Sequence, residues 1–117
     1  MSNKSAEEWA TQNLKADERT VIGAILNYWG ENVTNLKIVE EDVGRGGLFI
    51  IHFRLYDRVD VQAGYERSLV GFDVKINGKY TSLDKLIKGV IIDFDKFRSP
   101  EVMKHNFSLL DMVVRKM

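Results

Sequence analysis

Several groups of residues have the types and spacing that chemistry requires. Asp93 and Asp95 form an acid-x-acid pair. On a strand both carboxylates would share a face and could bind a divalent cation, whereas on a helix they diverge by about 200°. Gly44-Arg45-Gly46-Gly47 offers closely spaced amide N–H groups and a guanidinium, as a phosphate nest would. Asp60, Asp73 and Lys75 add two acids and a lysine around a Val-rich stretch. The two histidines, His52 and His105, fall on different predicted elements and form no ligand cluster and no nucleophile–base pattern. The absence of Cys excludes thiolate metal sites, Cys nucleophiles and a disulfide framework. No metal or cofactor is expected.

These residues must be positioned by elements that the hydrophobic period reveals. Ser5-Ala6-Glu7-Glu8 reads as a capping box, and Ala10, Leu14, Val21, Ile25, Tyr28 and Trp29 follow at helical spacing. Asp17 and Glu18 interrupt that stripe, so the segment reads as one helix with a weak middle or as two shorter ones. Gly30 is placed to end it. The period then falls to two. An acid-edged strand covers 36–41, and a stronger one covers 48–56, with Phe49, Ile51, Phe53 and Leu55 on one side. Its other side mixes Ile50 with His52, Arg54 and Tyr56, which suggests partial cover or a partner. Residues 57–67 read as a polar connection. A further strand spans 70–76, and Asn77-Gly78 signals a type I′ hairpin that sets Tyr80 opposite Lys75. Residues 83–97 carry helical spacing, although Gly89 and the run Val90-Ile91-Ile92 favour a strand after 88. Ser99-Pro100-Glu101 starts a final helix whose apolar stripe includes Met103, Asn106, Leu110, Val113 and Val114.

The 117 residues fit one α+β domain, with residues 1–4 expected to be disordered. Its predicted order is an N-terminal helix, a three- to four-stranded antiparallel sheet, and one or two C-terminal helices packed on the sheet. The 17 basic and 17 acidic residues cancel, which excludes a strongly basic nucleic-acid binder. The opening residues carry Lys4, Glu7 and Glu8 and no apolar core of the signal-peptide kind, so a cytoplasmic protein is expected.

Placed on these elements, most of the chemical candidates lose force. The Gly44–Gly47 loop joins two strands, whereas phosphate loops deliver the anion to a helix N-terminus, so it reads as a hairpin with a Gly bulge. Asp93 and Asp95 read as a solvated edge. Asp73 and Lys75 do fall on the side opposite Phe72 and Val74, as a site requires. With Asp60 on a preceding segment behind an N-terminal helix, this pattern resembles restriction-endonuclease-like nucleases, whose core runs helix, three strands, helix, strand. The resemblance implies that Asp60 (or Asp57) and Asp73 hold Mg²⁺ and that Lys75 orients the attacking water. This chain departs from the family by Asp73 where Glu is commoner and by Val59 where Pro usually precedes the first Asp.

The reading with fewest objections is a small protein-binding module acting by macromolecular contact: a regulator, inhibitor or immunity-type protein. The expected contact surface is Arg54, Tyr56, Asp57, Arg58, Tyr65 and Arg67, because Tyr and Arg are the usual interface anchors and the connection holding Tyr65 and Arg67 is long. The expected partner is a protein rather than nucleic acid or membrane. A third class, a cystatin-like helix-on-sheet ligand cup, would show an enclosed pocket between helix and sheet.

Overall fold

A computed structural model describes residues 6–44, 47–66, 69–87 and 99–117. Helix α1, Ala6–Trp29, is continuous. Its inner stripe is Leu14, Val21, Ile25 and Trp29, with Asp17 and Glu18 buried among them. Those two acids do not break the helix because each has a partner, Asp17 at the sheet and Glu18 one turn back on the helix itself. The Tyr65 hydroxyl donates to Asp17 Oδ2 at 2.5 Å, and Lys15 lies 3.4 Å from Glu18 and 2.7 Å from Glu41. Gly30 stops the helix with φ of 54°, a conformation that costs glycine little.

Five antiparallel strands follow in the order β1-β2-β3-β4-β5, a simple meander. They are β1 Val33–Asp42, β2 Leu48–Leu55, β3 Val59–Glu66, β4 Leu69–Ile76 and β5 Lys79–Ser82. The expected three- to four-stranded sheet is thus corrected to five. The polar connection expected at 57–67 is a tight turn followed by the whole of β3. Strand β3 alternates cleanly: Val59, Val61, Ala63 and Tyr65 are buried, while Asp60, Gln62 and Gly64 lie on the other side. Its small and polar members mimic a loop in sequence, but pairing with β2 and β4 supplies what their weak β propensity lacks.

The β2–β3 turn sets Tyr56 and Asp57 at φ of 57° and 53°, with Arg58 N–H donating to Leu55 O at 3.1 Å. Positive φ is rare for a tyrosine, and here the Asn32 carbonyl fixes the Tyr56 N–H at 2.9 Å. Asn77-Gly78 forms the predicted hairpin with φ of 52° and 81°, and Tyr80 pairs with Lys75. A single helical turn, α2 Leu83–Leu86, buries Leu83. The choice between helix and strand at 88–97 lies outside the described residues, as do Ser5, Arg45, Arg67, Asp93 and Asp95. Helix α3, Pro100–Arg115, starts as predicted, with Ser99 Oγ accepting from Val102 N–H.

Both long helices lie on one face of the sheet. Phe107 is central, with its ring 4.9 Å from Trp29, 5.4 Å from Tyr28 and 5.6 Å from Phe72. Burying such a side chain stabilises the fold by about 2–3 kcal/mol. Phe49, Ile51, Phe53, Leu55, Val61 and Val74 complete the same layer. The space between helices and sheet is therefore filled by side chains where a ligand cup would need room. The second contact between α3 and the rest is polar. Asp111 accepts from Trp29 Nε1 at 3.0 Å, from Arg115 Nε at 2.7 Å, and from the Tyr56 hydroxyl. Burial works against its charge, but these three donors hold its carboxyl below the ordinary range. Asp111 is absent from the apolar stripe of α3, yet it lies half-buried.

Candidate functional site

The face of the sheet opposite the helices carries the residues with room to act. The register arranges them in rows across the strands. Leu48, Glu66 and Leu69 form the first row, and Ile50, Gly64 and Gly71 the second. His52, Gln62, Asp73 and Ser82 form the third. Arg54 opposite Asp60, and Lys75 opposite Tyr80, close the far end. Two shallow hollows follow from this layout, one at each end.

The polar hollow encloses about 440 Å³ and is lined by Asn35, Lys37, His52, Asp60, Lys75 and Tyr80, among others. Its groups are largely paired with one another. Gln62 donates its amide N–H to Asp73 at 2.8 Å, which leaves its oxygen to accept from His52 Nε2 at 2.8 Å. Arg54 lies 3.8 Å from Asp60. Lys75 Nζ sits 5.7 Å from the centre of the Tyr80 ring, and the His52 ring lies 5.1 Å from it. Burial, then the charges of Asp60 and Asp73, push the Tyr80 hydroxyl above its ordinary pKa. Tyr80 therefore stays protonated and neutral at physiological pH.

The apolar hollow encloses about 540 Å³, lined by Leu48, Ile50, Gly64, Glu66, Leu69 and Gly71. Its floor is bare backbone. A Cβ placed on Gly64 or on Gly71 would meet nothing within 4 Å. Leu48 and Ile50 flank this floor on one side, and Leu69, 48% exposed, stands on the other.

The six residues expected to form a contact surface are divided among separate places. Arg54 is on the open face, half-buried. Tyr56, Asp57 and Arg58 form the β2–β3 turn, which leans on α3: Tyr56 bonds Asp111, and Arg58 donates to the Val114 carbonyl at 2.8 Å. Tyr65 is on the helix-covered face, 5% exposed and stacked on Phe49 with ring centres 4.5 Å apart. Arg67 lies outside the described residues. The three residues of the nuclease resemblance do share the open face. Asp73 is bonded by Gln62 and Asp60 is paired with Arg54. Among the described residues no three His, Asp or Glu side chains are grouped so as to hold a metal ion. The resemblance also asks for a helix after the third strand, where this chain continues with further antiparallel strands.

Sequence reasoning did not single out Leu48, Gly64, Leu69 or Gly71. The available signal was the mixed character of the Ile50–His52–Arg54 side of β2, together with a glycine in each of the next two strands. Among the described residues no helix is long and apolar enough to cross a membrane. Compared with protein-family models, curated proteins and solved structures, the chain has no significant match.

Proposed function

We propose that this chain is a small protein-binding module that acts by contact through the open face of its sheet, in the manner of a regulator, inhibitor or immunity-type protein. One observation carries the reading. Among the described residues the helices cover one side of the sheet, while the other presents Leu48, Ile50 and Leu69 around a glycine floor. Apolar side chains beside unfilled space are what a partner side chain would bury. The paired polar groups at the far end supply the wet rim that such contacts usually have. The runner-up, a Mg²⁺-dependent nuclease, rests on the shared face of Asp60, Asp73 and Lys75, with both acids already engaged inside the chain.

A photo-crosslinking residue tests the reading. Benzoylphenylalanine replacing Leu69 should trap a protein on irradiation in the producing cells. The same probe replacing Met112, exposed on the outer side of α3, should not. Equal labelling from both positions, or none from either, would refute it.

A further inference from the structure

We infer that the first half of α1 is a pH-operated latch, closed on the sheet while Glu18 carries a proton and released when Glu18 loses it. The inference goes beyond the binding role and concerns the helix-covered side of the sheet. Its ground is that one continuous helix is anchored unevenly. From Val21 onward the anchors are apolar: Val21 and Ile25 are fully buried, and Trp29 is buried and bonds Asp111. Before Val21, the buried side chains among the described residues are Leu14, Asp17 and Glu18. Leu14 reaches over Gly47, with its Cδ1 3.1 Å from where a Cβ would stand. Asp17 turns to Tyr65 of β3. Two of the three anchors of this half are therefore carboxyl groups, and a segment with so few buried apolar contacts opens before the rest of a fold.

The surroundings of Glu18 make its docking conditional on a proton. Its side chain is 3% exposed, and among the described residues neither carboxyl oxygen accepts a hydrogen bond. The charged groups that face it are Lys15 on its own helix, at 3.4 Å, and Glu41 of β1. Lys15 lies closer to Glu41, at 2.7 Å, so one partly exposed ammonium serves two carboxyl groups. A protonated Glu18 donates to Glu41 and needs no cation. An ionised Glu18 is a buried carboxylate beside another carboxylate, with a shared ammonium to oppose both, and burying a charge on those terms is costly.

Linkage sets the size of the effect. Burial and the Glu41 carboxylate raise the Glu18 carboxyl to about 7, while Glu41 is held below its ordinary value, so the pair keeps one proton between them. In the released state Glu18 meets water and returns to its ordinary 4.5. The closed form is thus fully favoured below the lower value and weakens as pH rises through the upper one. The opening constant should grow about seventyfold between pH 5 and pH 8.

Amide hydrogen exchange on the purified full chain, read by NMR as protection factors at pH 5 and pH 8, tests the latch. Protection factors remove the intrinsic pH dependence of exchange, so a change between the two reports opening. Amides from Leu14 to Glu18 should lose about seventyfold in protection. At pH 8 their opening should depend little on urea, while the amides of Phe72 and Leu110 keep higher protection, the mark of a local rather than a global event. Glu18→Gln stays neutral and should keep its pH 5 protection at pH 8. Glu41→Gln removes the neighbouring charge and should shrink the loss, which keeps the test valid if Glu18→Gln perturbs folding. A wild-type loss below about fivefold overturns the inference. So does an opening as urea-dependent as global unfolding, or an undiminished loss in either folded variant.

Discussion

Filling the glycine floor should make the protein more stable while closing its contact face. In Gly64→Val the new side chain enters space that is empty to 4 Å, on a residue whose φ is not in the left-handed region. Replacing a strand glycine removes unfolded-state freedom, a gain of about 0.5–1 kcal/mol. The valine also meets Ile50 directly across the β2–β3 ladder, a cross-strand pair that adds about 0.2–1 kcal/mol. Together these give about 1–1.5 kcal/mol. For 117 residues at about 2.1 cal/mol/K each, the unfolding entropy is about 0.25 kcal/mol/K, so Tm should rise by about 4–6 °C. Gly71→Val has only Gly64 opposite it and should gain about half as much, through the entropy contribution alone. Thermal unfolding followed by circular dichroism at about 1 μM makes the comparison at a concentration that disfavours association. A fall of several degrees in Gly64→Val would show that the floor is occupied in the folded protein. The open face would then not be open, and the proposed binding role would lose its ground.

Two further outcomes follow from the buried acids. Burial, with the Glu41 carboxylate beside it, pushes the Glu18 carboxyl up to about 7 against the pull of Lys15. The folded state therefore holds this proton more tightly than the unfolded chain. Stability should be full below the ordinary 4.5 and should decline as pH rises through about 7, by at most about 3 kcal/mol. Glu18→Gln should flatten that decline in denaturant titrations at pH 5 and pH 8; a slope identical to wild type would contradict the assignment. Asp111→Ala should cost about 2–3 kcal/mol, because Trp29 Nε1–H, inside a residue 4% exposed, loses its acceptor. With the same unfolding entropy, Tm should fall by about 10 °C. Because the Asp111 carboxyl is held low, its contribution is present above the ordinary carboxylate pKa and is lost as pH falls through its folded value. An Asp111→Ala Tm within 2 °C (about 0.5 kcal/mol) of wild type would show that the three donors find water instead.

Features written in local backbone chemistry were legible in the sequence. Gly30 ends α1, Asn77-Gly78 turns β4 into β5, and Ser99-Pro100 opens α3, each because a few adjacent residues decide the outcome. Features that depend on distant partners were not. Asp17 looks like an interruption of α1 until Tyr65, 48 positions away, reaches its carboxylate. Asp111 looks solvated until Trp29 and Tyr56 arrive from 82 and 55 positions away. Strand β3 was hidden for a related reason: Ala63 and Gly64 carry little strand preference alone, and the turn before it uses a tyrosine where glycine or asparagine would announce it. Once β3 is read as a loop, Tyr65 becomes a surface anchor and the glycine floor disappears. The mixed outer side of β2 was the one visible trace of the candidate site, and it needed the β3 register to become a place.

The meander has a consequence for the order in which the molecule assembles. Among the described residues every hydrogen-bonded strand pair joins neighbours in sequence, so this sheet can close through short loops with little entropic cost. The bond between Trp29 and Asp111 closes a loop of 82 positions and ties the first helix to the last. Contact order thus favours hairpins first and helix docking late. Until α1 and α3 settle, Phe49, Phe53 and Phe72 face water on one side of the sheet while its paired polar rows are solvated on the other. The larger hazard on folding therefore lies on the helix-facing side, and its remedy is the arrival of α1 and α3.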